Sequence, residues 1–476
     1  MVSVKYLLSL LMVMVFVPSL LANTEHSVSG PMILTLDDCF RMALETDTDL
    51  AIARMRLDVC REKIGAARRK LWPSLSLAVS DNSSLTDSSE YSQYDPSTGQ
   101  TYVPGEGFQT SAHVTYPLFD HSARIAALHI ERENDRIARL DIDQLRRDII
   151  RHTFETYLAV LERKTELIVR QEQMTQAGES LKIAEERLVQ GSGIPYEILL
   201  EEAYLAQSEA ALSSAHHAVN QASRTLLILL HHDIDANVDL TPIKPSPPST
   251  YDTDTIRRLI RTHRLEFQRT EAEIASYELQ SKINRASRLP RFDLFANYSR
   301  QGTGLDRWDD SDESITAGIS LRFSPFRDST VAGSSHREWI NDLQFMQKSY
   351  LSWDINDGTS IRSDELDLAI AIRKRRAELD LLSDHILTEA LSALEEYQDS
   401  LIYYRAVMKT RDAAEEHHRI QQRMYELGIN QFKDVVDARA ELIEARIDLT
   451  RAEYASEQYR MNLLYTLGLL DNQESF

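Results

Sequence analysis

An internal repeat limits how this chain can fold more than any other feature. Prolines at 73, 117, 290 and 325 lie in "KLWPSLSL", "TYPLFD", "SRLPRFDLF" and "FSPFRD". Pro73 and Pro290 each end a helical pattern and open an alternating one. Pro117 and Pro325 each close an alternating pattern ahead of a long helical one. The two pairs are offset by 217 and 208 residues. Farther on, Ile198, Leu205, Leu212, Val219 and Leu226 recur every seven residues and match Val435, Leu442, Leu449, Ser456 and Leu463 at an offset of 237. The same offset carries Gly191 onto Gly428 and Glu197 onto Asp434. Heptads alone align by chance; heptads locked to a glycine and an acid indicate two homologous halves.

Residues 31–240 form the first repeat, 241–252 ("TPIKPSPPSTYD") a Pro-rich linker, and 253–470 the second repeat, with 471–476 as a tail. Each half reads helix, strand, loop, strand, very long helix, tight turn, helix. Period-two alternation places strands at about 74–80 and 110–118 in the first half and 291–300 and 314–323 in the second. The turns fall at 191–196 and 428–433. The change of offset gives the second half about 29 more residues (237 − 208), assigned to its long helical arm near 327–366.

Strands of about ten residues cross a bilayer when tilted. Four per chain cannot close a membrane barrel, and open edges are not tolerated in lipid. Membrane strands therefore require several chains to share one barrel, and three chains of four strands give twelve. The alternative is a soluble four-stranded sheet beside coiled coils. Residues 121–190 carry no strong helix breaker, and a continuous helix of that length spans about 105 Å. With the heptads, this points to coiled coil. The expected class is mainly α with membrane β.

The start, "MVSVKYLLSLLMVMVFVPSLLANTEH", reads as a secretory signal peptide over 1–22, and no later run is apolar enough for a transmembrane helix. A formal charge of −21 argues against nucleic acid, which needs a basic footprint. The two cysteines, Cys39 and Cys60, fit neither a metal-ligand pattern nor an expected disulfide. The pairs His216-His217, His231-His232 and His417-His418 point apart on a helix, and "DINDGTSIRSDE" has its glycine one position early for a calcium loop. Neither a metal nor a cofactor is expected, and no nucleophile triad, Walker or Rossmann motif marks an enzyme.

In "GINQFKDVVDARAEL", Asp434 and Asp437 share a helix face just past Gly428. Two such carboxylates can be an acid/base pair, half a metal site, or a solvated helix start favoured by the helix dipole. A catalytic pair needs a cleft and a partner base, and the neighbours Lys433, Arg439 and Glu441 supply neither.

Nearly the whole mature chain resembles the outer-membrane efflux protein family, the TolC-like channels. The resemblance rests on "LTLDDCFRMALETDTDLAIARMRLDVCREKIGAARRKLWPSLSL", on "YPLFD" and on "YELGINQFKDVVDARAELIEAR", in that order, with the duplication and the export signal. It implies a homotrimer in the cell outer membrane with a shared twelve-stranded barrel and a long periplasmic helical tunnel. It also implies a periplasmic adaptor and an inner-membrane transporter as partners in an efflux or type I secretion route. Acids after this glycine form rings at the tunnel's periplasmic mouth in the family, and Asp434 and Asp437 match them by position. Polar links between the helical turns hold that mouth shut; Tyr425 and Glu197 match one, and Asn430 stands where some members carry arginine. The competing expectation is a soluble periplasmic coiled-coil scaffold or adaptor.

Overall fold

The computed structural model describes residues 32–82, 93–95, 100–102, 107–191, 193–243, 251–302, 312–324, 329–340, 344–355 and 361–470. Pro325, the signal-peptide segment and the tail lie outside these residues. β1 (Met32–Leu34) leads into α1 (Leu36–Thr46) and α2 (Thr48–Arg69). Thr35 starts α1 with a capping box to Asp38. Asp47 ends α1 and caps α2, its carboxylate accepting from the Leu50 backbone N–H at 2.7 Å. β2 (Ser74–Asn82), the short pair β3 (Gln93–Asp95) and β4 (Gln100–Tyr102), and β5 (Gly107–Phe119) follow. Then come α3 (Ala123–Val189), α4 (Pro195–Leu229) and β6 (Val238–Leu240).

The second half repeats the order with α5 (Thr253–His263), α6 (Leu265–Ala286), β7 (Arg291–Gly302) and β8 (Asp312–Phe323). Two further strands, β9 (Ser329–Ile340) and β10 (Gln344–Ile355), precede α7 (Ile361–Glu426) and α8 (Phe432–Leu467). α1, α2 and β2 begin 217 residues before α5, α6 and β7, and α4 begins 237 before α8.

The inserted residues are therefore not helical. α3 and α7 are nearly equal, at 67 and 66 residues, or about 100 Å each. The stretch assigned to a longer helical arm is a β-hairpin. The mainly α class with membrane β holds, but among the described residues the sheet has six strands, in the order β10-β9-β8-β7-β5-β2, where period-two alternation predicts four. All its pairings are antiparallel. Pro117 lies inside β5 rather than at its end, beside a register shift before Phe119. That is where a residue without an N–H is tolerated in a sheet.

Because side chains alternate across a strand, the register sorts the sheet into two faces. One face carries Leu75, Leu77, Val79, Val114, Tyr116, Leu294, Tyr298, Ile315, Ile319 and Leu321. The other carries Ser74, Ser76, Ser111, His113, Thr115, Asn297, Ser299, Thr316 and Ser320. On the apolar face, Leu75, Leu77 and Val79 are 65%, 75% and 67% exposed. A face of that size in water is unfavourable; in lipid it is at home. Among the described residues, no helix is long and apolar enough to cross a membrane.

Arg124 ties the sheet to the helices. It donates to Asp120 Oδ2 at 2.7 Å, to the Pro117 carbonyl at 2.7 Å and to the Lys70 carbonyl at 3.1 Å. Burial pushes the Asp120 carboxyl up, but hydrogen bonds and charge from Arg124 outweigh it and hold it below its ordinary range. The helical cores lie along the middle of the long helices. Cys39, Leu50, Tyr157 and Leu226 pack in the first half, and Ile256, Ile386, Tyr397 and Leu467 in the second. The Tyr157 hydroxyl donates to the Thr241 carbonyl at 2.7 Å, satisfying a buried polar group. β1 and β6 pair in parallel beside it, a contact between the ends of the first repeat that no local pattern signalled.

Candidate functional site: the tip of the helical hairpins

The end of the helices farthest along the chain from the sheet is built from two turns of the same design. α3 ends and α4 begins around Gly191; α7 ends and α8 begins around Gly428. Both glycines are left-handed, at φ 75° and 74°. A side chain there would be strained, so glycine is what lets each long helix reverse within a few residues. Each turn closes with a backbone bond back into the last helical turn, Gly193 N–H to Arg187 O at 3.0 Å and Ile429 N–H to Met424 O at 2.9 Å. Pro195, at the start of α4, uses the position where a missing N–H costs nothing.

The two tips meet through polar side chains. The Tyr425 hydroxyl on α7 donates to Glu197 Oε1 on α4 at 2.9 Å. Burial, and then the Glu197 carboxylate, push the Tyr425 phenol above its ordinary range, so it stays a donor. The Arg187 guanidinium of α3 sits 5.4 Å from the Tyr425 ring centre. One turn farther in, Arg439 of α8 contacts Glu201 of α4 at 3.3 Å, with side-chain exposures of 11% and 0%. Arg439 also lies 5.4 Å from the Tyr204 ring centre, whose hydroxyl accepts from Gln173 Nε2 at 3.3 Å. Burial raises the Glu201 carboxyl, and the charge and hydrogen bond of Arg439 pull it back only in part. Burial, helped by the positive charges of Arg439, Arg446 and His417, lowers the His418 imidazole. Arg187, Glu197, Glu201, His418, Tyr425 and Arg439 line a cleft of about 300 Å³.

The other expected site residues are arranged differently. Asp434 is exposed, and its carboxylate accepts from the Gln431 backbone N–H at 3.1 Å, so it closes a capping box at the start of α8. Asp437 is exposed one turn on. Asn430 donates to Gln421 on α7, within its own hairpin, rather than to the other helical turn. The equivalence of Glu197 and Asp434 is thus one of chain position only: the first is 8% exposed and bonded across the tips, the second faces water.

Sequence reasoning missed Glu201, Arg439, Arg187 and His418. The one signal for Glu201 was its i+4 spacing from Glu197. The charges pair with one another, and no Ser, Cys or Thr nucleophile stands hydrogen-bonded to a base at the tip among the described residues. The cluster can fasten two hairpins and can repel or attract ions; it does not make a catalytic arrangement. Cys39 and Cys60 are both free.

Paired helical hairpins about 100 Å long, joined to one sheet with an apolar and a polar face, define the architecture. Residues 40–230 match the outer membrane efflux protein family. A curated relative, the "Proteases secretion protein PrtF" of Dickeya chrysanthemi, is 22% identical over 471 residues, covering 96% of this chain and 93% of its own. The outer membrane protein VceC of Vibrio cholerae superposes with a TM-score of 0.71 at 16% identity, covering 91% of this chain and 96% of that one. The Campylobacter jejuni CmeC outer membrane channel gives 0.70 at 15% identity, over 91% and 85%. At these identities the two structures establish the shared fold.

Proposed function

We propose that three copies of this chain form one duct. Their sheets close a barrel in the outer membrane, and their helices enclose a water-filled tunnel through the periplasm. A periplasmic adaptor and an inner-membrane transporter dock to the complex and supply the energy. The observation that carries this reading is the sheet: one face apolar, the other polar, with edges at β2 and β10 that are free among the described residues and that lipid does not tolerate. One chain cannot cover both edges without a partner, and identical chains around an axis do so most simply.

At the far end, the tips form the gate. Glu197–Tyr425 and Glu201–Arg439 fasten each chain's two hairpins together, and opening requires those links to part. Asp434 and Asp437 are exposed on α8 in the single chain, and threefold symmetry turns this pair into six carboxylates around one axis, a ring selective for cations. Asn430 takes no part in fastening the two turns.

Fractionation and native mass measurement of the detergent-solubilised full chain test the reading. Outer-membrane material with a trimer mass is expected. A monomer released from membranes by salt would establish the scaffold alternative instead.

A further inference from the structure

β9 and β10 are as long as the strands they extend, at twelve residues each. β9 pairs with β8 along nearly its whole length, from Ser314↔Ile340 to Phe323↔Val331. The outer edge of β8 is therefore occupied, and among the described residues the sheet's free edges are β2 and β10. A closure of four strands per chain would need the β8 edge.

We propose that the β9–β10 hairpin is a third membrane hairpin at the subunit seam. β10 pairs with β2 of the next copy, and three copies of six strands close an eighteen-stranded barrel. This rests on the trimeric reading above.

Three observations support it. First, the hairpin sits at the same membrane depth as the older strands. On the apolar face, the ends nearest the helices carry Phe119, Phe292, Phe323 and Trp353, one aromatic girdle running from β5 to β10. Toward the opposite ends of the strands the same face carries Arg300, Glu313, Arg337 and Gln347, a polar rim. Trp339 lies in that rim, and its register position is eight residues along β9 from Val331, the partner of Trp353. Eight residues span about 27 Å along a strand. At a tilt of about 40° that is roughly 21 Å of height, close to the apolar band of a membrane barrel at about 25 Å. Leu351, Trp353 and Ile355 are 72%, 55% and 71% exposed on this face. Ser335 and Ser349, also on it, satisfy each other's hydroxyls at 2.9 Å.

Second, the hairpin's other face continues the polar lining. It carries Ser334, His336, Glu338, Lys348, Ser352 and Asp354, with Lys348 Nζ 2.6 Å from Glu338. Third, the register climbs in one direction. The row Leu75–Val114–Ala296–Ala317–Arg337–Gln347 starts one residue from the helix end of β2 and finishes eight from the helix end of β10. The climb of seven residues never reverses, and such one-way stagger is what closing a tilted barrel requires. Barrel diameter grows roughly linearly with strand number, so eighteen strands give a pore about 1.5 times as wide as twelve.

Cysteine pairing across the seam tests this in the full chain, with Cys60→Ser as background. Ser76→Cys on the polar face of β2 is combined in turn with Lys348→Cys, Tyr350→Cys and Ser352→Cys on the same face of β10. A matching set combines it with Thr316→Cys and Ser320→Cys of β8. Oxidation in membranes is expected to give covalent trimers with at least one β10 partner and with neither β8 partner. A native trimer whose β2 cysteine links to β8, or to no position on β10, overturns the eighteen-stranded closure. A chain that runs as a monomer in native mass measurement overturns the trimeric reading beneath it as well.

Discussion

The two halves keep the same frame and use it differently. α1–α2 and α5–α6 match at an offset of 217 (253 − 36) and the two glycine turns at 237 (428 − 191), because the second half has an extra hairpin at the sheet; its tip also carries exposed acids. At the sheet, six strands lie where the first-half pattern alone would give four. At the tip, the first half buries Glu197 and Glu201, whereas the second exposes Asp434 and Asp437 and buries Ala438 where Glu201 would fall. A duplicated helix pair is thus a scaffold on which length and charge diverge independently at each end. Contacts set the fate of each equivalent position: Glu201 has Arg439 beside it, and Asp434 has a helix N-terminus to cap.

The largest effect should come from removing what distinguishes the halves at the sheet. Deleting Ser329–Ile355 leaves four strands per chain, and pore cross-section should fall to about (12/18)², a little under half. The barrel width seen in electron micrographs of the purified trimer reads this directly; an unchanged width after the deletion would overturn the eighteen-stranded closure.

Next is the asymmetry of buried charge at the tip. Arg439→Met leaves Glu201 buried beside no cation, at a cost of about 3 kcal/mol. Proteolysis of the α3–α4 turn should accelerate well beyond that of the α7–α8 turn. Equal acceleration at both turns would dissolve the distinction between the two tips.

A smaller change is expected at the outer link. Tyr425→Phe removes one hydrogen bond to Glu197, worth about 1 kcal/mol, and should raise conductance by loosening the gate. Alongside it, Asp434→Asn with Asp437→Asn removes the exposed charges while retaining a side-chain acceptor for the helix start. Reversal-potential measurements should then show reduced cation preference with no loss of thermal stability. If selectivity survives, no acidic ring forms.

The smallest and most discriminating effect is in pH. Asp120 has a lowered pKa, so its contribution to stability is present above the unfolded value and is lost as pH falls through the folded one. Glu201 has a raised pKa, so its contribution is present below the unfolded value of 4.5 and is lost as pH rises through the folded one. The Tm of Glu201→Gln, taken relative to the parent, should therefore improve from pH 4 to pH 7. That of Asp120→Asn should worsen as pH rises from below the parent's folded pKa, the opposite slope. Parallel slopes would show that the two ends do not differ electrostatically.

Much of this frame was legible because its signals are local. A left-handed turn calls for glycine, so Gly191 and Gly428 marked both tips. Pro73 and Pro290 stood where helices give way to strands, and a period of two is readable wherever one face meets lipid, as from Phe292 to Tyr298. The hairpin escaped because its alternation is broken. Ser335 and Arg337 fall on the apolar face of β9, and its small residues are divided between both faces. With the period blurred, only the length of the insertion was visible, and that was credited to a helix.

By itself, then, the sequence determined the duplication, the long helices, the membrane strands of the first hairpins, and the place and size of the insertion. Each of these follows from residues a few positions apart, within reach of a helix turn, a strand pleat or a glycine φ. The tertiary structure decided that the insertion is a strand pair extending the sheet, and that Glu201 meets Arg439 across 238 residues. It also decided which of two equivalent acids is buried. Those outcomes depend on which surfaces are brought together, and hydrogen-bonded edges and desolvated charges exist only once the chain has folded.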